Sequence, residues 1–408
     1  MGPAPELYAT LGVSPSATQE EIRQAFRQLS RRFHPDVNAD AAATAEFRYL
    51  AAAYAALDDP AQREAYDAGL SGENLPFVTT VVTSHKQIRR LTEPQIVECL
   101  FEIRALENAS WVEPPLNVCL AIDRSTSMQG PRLDAVKSAA EHIIKSLRPD
   151  DTFSVITFSD RAEVVLPARP TVNKAASISK VSTIRAQGGT EILQGLLAGL
   201  TEMQTSLTPN SVNHLILFTD GQTYGDEDDC LLLATLAFGD GITISGLGIG
   251  DEWNDGFLDR LAAATGGASQ YIASPGGVQK LLTDQVRGMG GTIAQRLRLY
   301  VACDSNVTLQ TAFRVSPDAQ PIPLDDSHLL RPGSLLRNGT IAVLLRFLVH
   351  PEETDGDTRP LARLGLRADV PGQGENGGRQ VVDVGVALTD QPITTLPPLT
   401  ILNALDKL

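Results

Sequence analysis

Hydrophobic positions follow three rhythms along the chain, and each predicts a different kind of unit. Near the N-terminus they recur at three- and four-residue spacing: Ile22, Ala25, Phe26, Leu29 and Phe33, then Phe47, Leu50, Ala51, Tyr54 and Leu57. That period marks the buried faces of two amphipathic helices packed antiparallel. Thr18 with Glu21 forms a capping box for the first helix, and Asp59-Pro60 gives an N-cap and first-turn proline for a short third one. Short continuous apolar runs follow at 116–122, 152–158, 161–166, 213–219, 242–248 and 269–273. Runs of strand length without alternation are the pattern of buried strands in an α/β domain with a doubly wound sheet. On both sides of that region lie stretches with partial strand alternation: 77–88 and 95–106 before it, and 296–315, 340–349, 361–370 and 379–389 after it. Pro, Gly, Asn and Asp separate them, and Asn338-Gly339 is a turn signal. Short strands with turns between them predict an antiparallel β-sandwich, here one sandwich with the α/β region inserted, although two separate small β units fit the same pattern. The ending PLTILNALDKL opens a helix over 397–408 that the chain does not finish, which predicts a longer natural protein.

Candidate chemistry sits where the first apolar run ends. LNVCLAIDRSTSM places Asp123, Ser125 and Ser127 just past the strand, in a loop expected to be exposed. Clustered oxygen donors suit a hard divalent cation, but Asp and Ser are also common turn residues, so this stretch alone leaves both readings open. Thr190 follows a glycine pair in AQGGTEILQGL, and Asp220 ends the apolar run HLILFT. In a sheet ordered 3-2-1-4-5-6, the first and fourth strands are neighbours at the switch point, so both aspartates come to one crevice. Asp123-x-Ser125-x-Ser127 with Thr190 and Asp220 resembles the complete metal-ion-dependent adhesion site of a von Willebrand factor A domain, over residues 112–290. The resemblance implies a Rossmann-like domain binding Mg2+ (or Mn2+) through those five residues, with an acidic side chain of a partner protein completing the coordination shell.

The helical region carries a second signal. Arg23, Arg27 and Arg31 fall four apart on one face of the first long helix, and His34-Pro35-Asp36 makes the corner after it. Proline fixes its own φ and biases the preceding residue away from helix, so the corner is rigid. With LYATLGV before and DDPAQREAYD after, residues 5–69 resemble the J domain of DnaJ-type co-chaperones. That resemblance implies that His34, Pro35, Asp36, Arg23, Arg27 and Arg31 dock on a DnaK-type chaperone and stimulate its ATP hydrolysis. Residues 71–76 have linker composition and are expected to let the modules act independently; no Gly/Phe-rich segment or cysteine-rich zinc module follows, which favours a specialised co-chaperone.

Composition narrows the field. Apolar residues make up 42% and charged residues 20% of the 408, which describes globular material. A formal net charge of −15 argues against nucleic acid or an anionic membrane as the main partner. The four cysteines form no CxxC pair, so neither a zinc site nor a disulfide framework is expected. No segment reaches the ~18 apolar residues of a membrane span, and a cytoplasmic protein is expected.

These readings predict a multidomain chain: an all-α J domain at 1–70, a linker at 71–76, an antiparallel β-sandwich at 77–111 and 291–396, and a doubly wound α/β A domain at 112–290. The expected function is a non-enzymatic co-chaperone that stimulates a DnaK-type chaperone and binds a partner or client through Mg2+. An A-domain adaptor for an ATPase complex is an alternative. A phosphoryl-transfer enzyme of haloacid-dehalogenase type is another, because such enzymes also hold magnesium at strand-end aspartates. They use a second aspartate two residues after the nucleophile, and here that position is Ser125, which cannot serve as a carboxylic acid. GLGIG at 246–250 has only weak phosphate-loop character, and GDEDDC at 225–230 reads as an acidic helix start.

Overall fold

The structure is a computed structural model that describes residues 7–13, 17–33, 41–59, 63, 66, 75–107, 112–170, 173–208, 210–220, 226–249, 255–272, 275–324, 329–351, 356–372 and 374–408. The N-terminal helices are α1 (Leu7–Leu11), α2 (Gln19–Phe33) and α3 (Ala41–Asp58). The capping box forms at α2: the Glu21 carboxylate accepts from the Thr18 N–H at 2.6 Å and its hydroxyl at 2.9 Å, while the Glu21 N–H donates back to the Thr18 hydroxyl at 3.3 Å. Pro60 and residues 71–74 lie outside the described residues.

Strands β1 (Phe77–Thr83), β2 (Gln87–Arg89) and β3 (Gln95–Ala105) come next. The α/β unit then runs β4 (Leu116–Asp123), α4 (Pro131–Ser146), β5 (Thr152–Phe158), β6 (Ala162–Pro170), α5 (Lys174–Ser182), α6 (Ile192–Gln204), β7 (Val212–Thr219), α7 (Glu227–Gly239), β8 (Ile242–Ile249), α8 (Asp255–Ala263), β9 (Ser269–Ile272) and α9 (Pro275–Met289). Its sheet order is β6-β5-β4-β7-β8-β9, the 3-2-1-4-5-6 arrangement. Every residue of β4 is buried because the strand feeds two cores. Leu116, Val118, Leu120 and Ile122 pack with α4 and α9, whereas Cys119 and Ala121 pack with α6, α7 and α8 on the other face. Alternate side chains point to opposite faces, so a strand covered on both sides reads as one apolar run. The β6 strand differs from the expected 161–166: it extends to Pro170 and pairs antiparallel with β5. Only Ser159 to Arg161 joins the two strands, too short for a parallel crossover. Residues 246–249 of GLGIG lie inside β8 rather than in a phosphate loop.

The remaining elements are β10 (Thr292–Cys303), β11 (Val307–Ser316), β12 (Gln320–Ile322), β13 (Leu329–Leu336), β14 (Thr340–Val349), β15 (Thr358–Val370), β16 (Gly374–Thr389) and α10 (Leu399–Leu405). They join the early strands in two five-stranded sheets, β1-β3-β14-β11-β12 and β13-β10-β15-β16-β2. One hydrophobic core fills the space between the sheets, from Phe101 and Phe347 on one to Leu299 and Leu364 on the other. β13 has no counterpart among the predicted strands because Pro332 and Gly333 break its pattern; a proline is tolerated there because β13 is an edge strand.

The helical module is not free of the rest. Leu7, Tyr8 and Leu11 share a cluster with Tyr300, Ala302 and Leu329 on the outer face of the second sheet. The Arg363 guanidinium lies 5.4 Å from the Tyr8 ring centroid, and that of Arg379 lies 4.8 Å from the Tyr66 ring centroid. The helical module is therefore seated on the second sheet, since a short apolar helix buries its face on whatever sheet is adjacent.

Candidate metal centre

β4 and β7 are hydrogen-bonded neighbours, so Asp123 at the end of one and Asp220 just past the other stand together. The Asp123 Oδ1 accepts from the Ser125 backbone N–H at 2.7 Å, and its Oδ2 accepts from the Thr219 hydroxyl at 2.8 Å. The Ser125 and Ser127 hydroxyls are 3.0 Å apart, and Ser127 donates to Asp220 Oδ1 at 2.8 Å. Asp220 Oδ2 accepts from Arg132 Nη1, which also donates to the Ser127 carbonyl at 3.3 Å. Four of the five sequence-predicted ligands are thus joined by hydrogen bonds, Asp123 to Ser125 through the backbone N–H and Ser125 to Ser127 to Asp220 through side-chain oxygens. Asp123 and Ser125 are buried rather than exposed, because the loop folds back into the turn Thr126–Met128 and covers them; Ser127 faces solvent.

Thr190, also buried, reaches the same end of the sheet on a separate loop. That loop is fastened to the first: the Gly188 carbonyl accepts from the Thr126 N–H at 3.1 Å and hydroxyl at 3.0 Å, and the Gln187 N–H donates to the Arg124 carbonyl at 2.6 Å. The glycine pair is required by close approach. Gly188 has φ +82°, a Cβ on it would lie 2.7 Å from Asp160 Oδ2, and the Gly189 N–H donates to Asp160 Oδ1 at 2.9 Å. Among the described residues no hydrogen bond joins Thr190 to the other four candidate ligands.

Thr219, Arg132 and Asp160 were absent from the sequence-derived set. Thr219 had a signal in its position immediately before Asp220 at a strand end. Arg132 had another: it is a cation in the first turn of α4, where the helix dipole favours anions, so some other anion must hold it. Asp160 gave no local signal.

Burial pushes the Asp123 carboxyl up to about 6, with the Asp220 charge adding to the rise and the Ser125 and Thr219 hydrogen bonds opposing it. A buried carboxylate raised in this way calls for a nearby positive charge. The donors are all hard oxygens, and Arg132 already lies on Asp220, so the crevice draws a cation to itself. Both features fit a divalent metal. Among the described residues no group of three or more His, Cys, Asp or Glu could hold a metal, so any ion here depends on hydroxyl ligands. All four cysteines are free thiols.

His34, Pro35 and Asp36 lie outside the described residues. Arg23, Arg27 and Arg31 are exposed on α2. Two of them have partners within the module: Arg23 Nε donates to Asp58 Oδ1 at 2.7 Å and Arg27 Nη2 donates to Glu20 Oε1 at 2.7 Å. The Arg23 hydrogen bond holds the Asp58 carboxyl below the usual carboxylate range.

Comparison with known proteins matches both units. A von Willebrand factor type A domain profile matches residues 117–283, and a DnaJ domain profile matches residues 6–67. The chain is 31% identical over 294 residues to the uncharacterized protein sll0103 of Synechocystis sp., an overlap of 70% of this chain and 68% of that protein. It is 49% identical over 73 residues to the chaperone protein DnaJ of Gloeobacter violaceus, which is 17% of this chain and 19% of that chaperone. In fold it is similar to a von Willebrand factor type A protein from Catenulispora acidiphila, with a TM-score of 0.63 at 20% identity, covering 78% of this chain and 75% of the other. An overlap that wide takes in the β sheets as well as the α/β unit. The chain therefore belongs to the same family as sll0103, with a DnaJ domain at its N-terminus and a von Willebrand factor type A domain as its α/β unit.

Proposed function

We propose that this protein is a co-chaperone adaptor: its DnaJ domain stimulates a DnaK-type chaperone, and its A domain holds a partner or client protein through a divalent metal. The observation that carries the reading is the linked oxygen set of Asp123, Ser125, Ser127 and Asp220 at the switch point, in a chain whose N-terminus matches DnaJ. Those four residues and Thr190 would hold Mg2+ or Mn2+, which suits carboxylate, hydroxyl and water oxygens. When bound, the ion supplies a positive site for an acidic side chain of the partner. Without it, two carboxylates would oppose that side chain with only Arg132 in between.

In the helical module, His34, Pro35 and Asp36 with the exposed face of Arg23, Arg27 and Arg31 would dock on the chaperone. The domain limits follow the sequence reading, with the A domain (112–290) as an insertion in a sandwich formed by 77–111 and 291–396. Support for the insertion comes from the pairing of β3 with β14 and of β2 with β16 across the α/β unit. Among the described residues no helix is long and apolar enough to cross a membrane, consistent with cytoplasmic work beside a DnaK-type chaperone.

The test pairs two variants with two assays. Asp123→Asn should lose Mg2+ binding in calorimetry yet still stimulate DnaK ATPase activity. His34→Gln should bind Mg2+ normally and stimulate nothing. If a folded variant loses both activities, or neither, the two-module reading fails.

A further inference from the structure

Beside the metal loop lies a cavity of about 390 Å³, lined by Arg124, Lys180 and Arg185 with Glu163 as the only carboxylate. Three cations against one acid make this a positive pocket in a chain of net charge −15. It adjoins the crevice through the chain itself. Asp123 and Ser125 turn inward to the metal network, and Arg124 between them is on the cavity wall, as alternation in extended backbone requires. Arg185 begins the stretch that leads through Gln187 to Thr190.

Arg124 is held in place but not neutralised. With the Gln187 amide turned so that its oxygen faces the guanidinium, that oxygen accepts from Nη1 at 2.7 Å and Nη2 at 3.2 Å. Glu163 is 3.5 Å away and largely exposed, which makes a loose pair. The buried Nε has no partner. Lys180 and Arg185 are exposed, and Arg185 Nη1 donates only to the Ser182 and Ile184 carbonyls, which leave its charge uncompensated.

We propose that this cavity is a second anchoring point for the partner of the A domain: an acidic segment that places one carboxylate at the metal sets a further carboxylate among Arg124, Lys180 and Arg185. The inference rests on the reading of the crevice as a metal-dependent protein-binding site. Cations on three separate side chains suit several spaced carboxylates of a peptide, and complementary charge of this kind fixes register and speeds encounter. The partner surface is thus a run of acidic residues rather than a single glutamate or aspartate.

A labelled oligoglutamate peptide serves as the probe, with oligoglutamine of equal length as the uncharged control, on the full chain in Mg2+ buffer. Oligoglutamate should bind and oligoglutamine should not. The double variant Lys180→Gln, Arg185→Gln should weaken oligoglutamate about tenfold, with its Mg2+ affinity and melting temperature unchanged. If Mg2+ binds but oligoglutamate binds the double variant as well as the parent, or binds neither, the cavity proposal is overturned and the metal reading stands. If oligoglutamate needs Lys180 and Arg185 while Mg2+ does not bind, the cavity stands as an acidic-segment site and the metal reading falls.

Discussion

The proposed metal end of the A domain and the basic face of α2, proposed for chaperone docking, are both polar surfaces, and they are built in opposite ways. Asp123, Ser125, Thr219 and Asp220 are buried and linked directly or through the exposed Ser127, and they come from strand ends and loops far apart in sequence. Arg23, Arg27 and Arg31 lie on one helix, in water, and two of them are bonded to nearby acids of their own module. A buried polar network transmits the loss of any member to the others, because the orphaned groups have no water to turn to. An exposed stripe loses only the charge removed. On the proposed function, work at the metal end is therefore tied to the fold, whereas work at the basic face is tied to charge and ionic strength.

The largest expected effect breaks the seat of the helical module on the second β sheet. Tyr8 is fully buried, accepts a hydrogen bond from Arg63 Nε at 2.8 Å and lies beneath Arg363 of the sheet. Tyr8→Ala should destabilise the helical module by about 3 kcal/mol, seen as faster amide exchange in α1 to α3, with Mg2+ affinity unchanged. Matched exchange in parent and variant would show that the seat does not hold the module.

Next comes the metal. Removal by chelation should lower the melting temperature of the A domain by an amount that grows with the Mg2+ concentration it replaces, about 2.7 kcal/mol at a hundredfold excess over Kd. Asp123→Asn should abolish that dependence. A melting temperature indifferent to Mg2+ in the parent chain would remove the ion from the account.

A smaller effect sharpens the contrast. Thr219→Val keeps the shape but deprives Asp123 Oδ2 of its donor, and should cost about 1 kcal/mol in stability with weaker Mg2+ binding by calorimetry. At the other face, Arg23→Ala should leave melting nearly unmoved, yet reduce DnaK stimulation in a way that fades as salt rises toward a Debye length of ~8 Å. Equal stability losses in Thr219→Val and Arg23→Ala would erase the distinction between the two surfaces.

Much of this is legible in the sequence. Period located α2 and α3, a capping box placed the start of α2, and unbroken apolar runs located the strands of the α/β sheet, whose spatial order came from the doubly wound arrangement. The acids at the ends of the first and fourth runs then had to meet. β13 was hidden because Pro332 and Gly333 look like breakers unless the strand is known to be an edge. Asp160 was hidden because its role is to meet the backbone of Gly189, and a side chain that serves a distant backbone leaves no local pattern.

The sequence by itself determined the units, their order and the residue types at each candidate site, since propensity, periodicity and spacing act within a few turns or strand lengths. Only the tertiary structure decided that Asp123 is buried with its carboxyl pushed up to about 6, that Arg132 lies on Asp220, and that Arg124 lines a positive cavity beside the Asp123–Ser127 loop. It also decided that the helical module rests on the second sheet. Burial and charge environment are sums over neighbours brought in from many points of the chain, and no single stretch contains those neighbours.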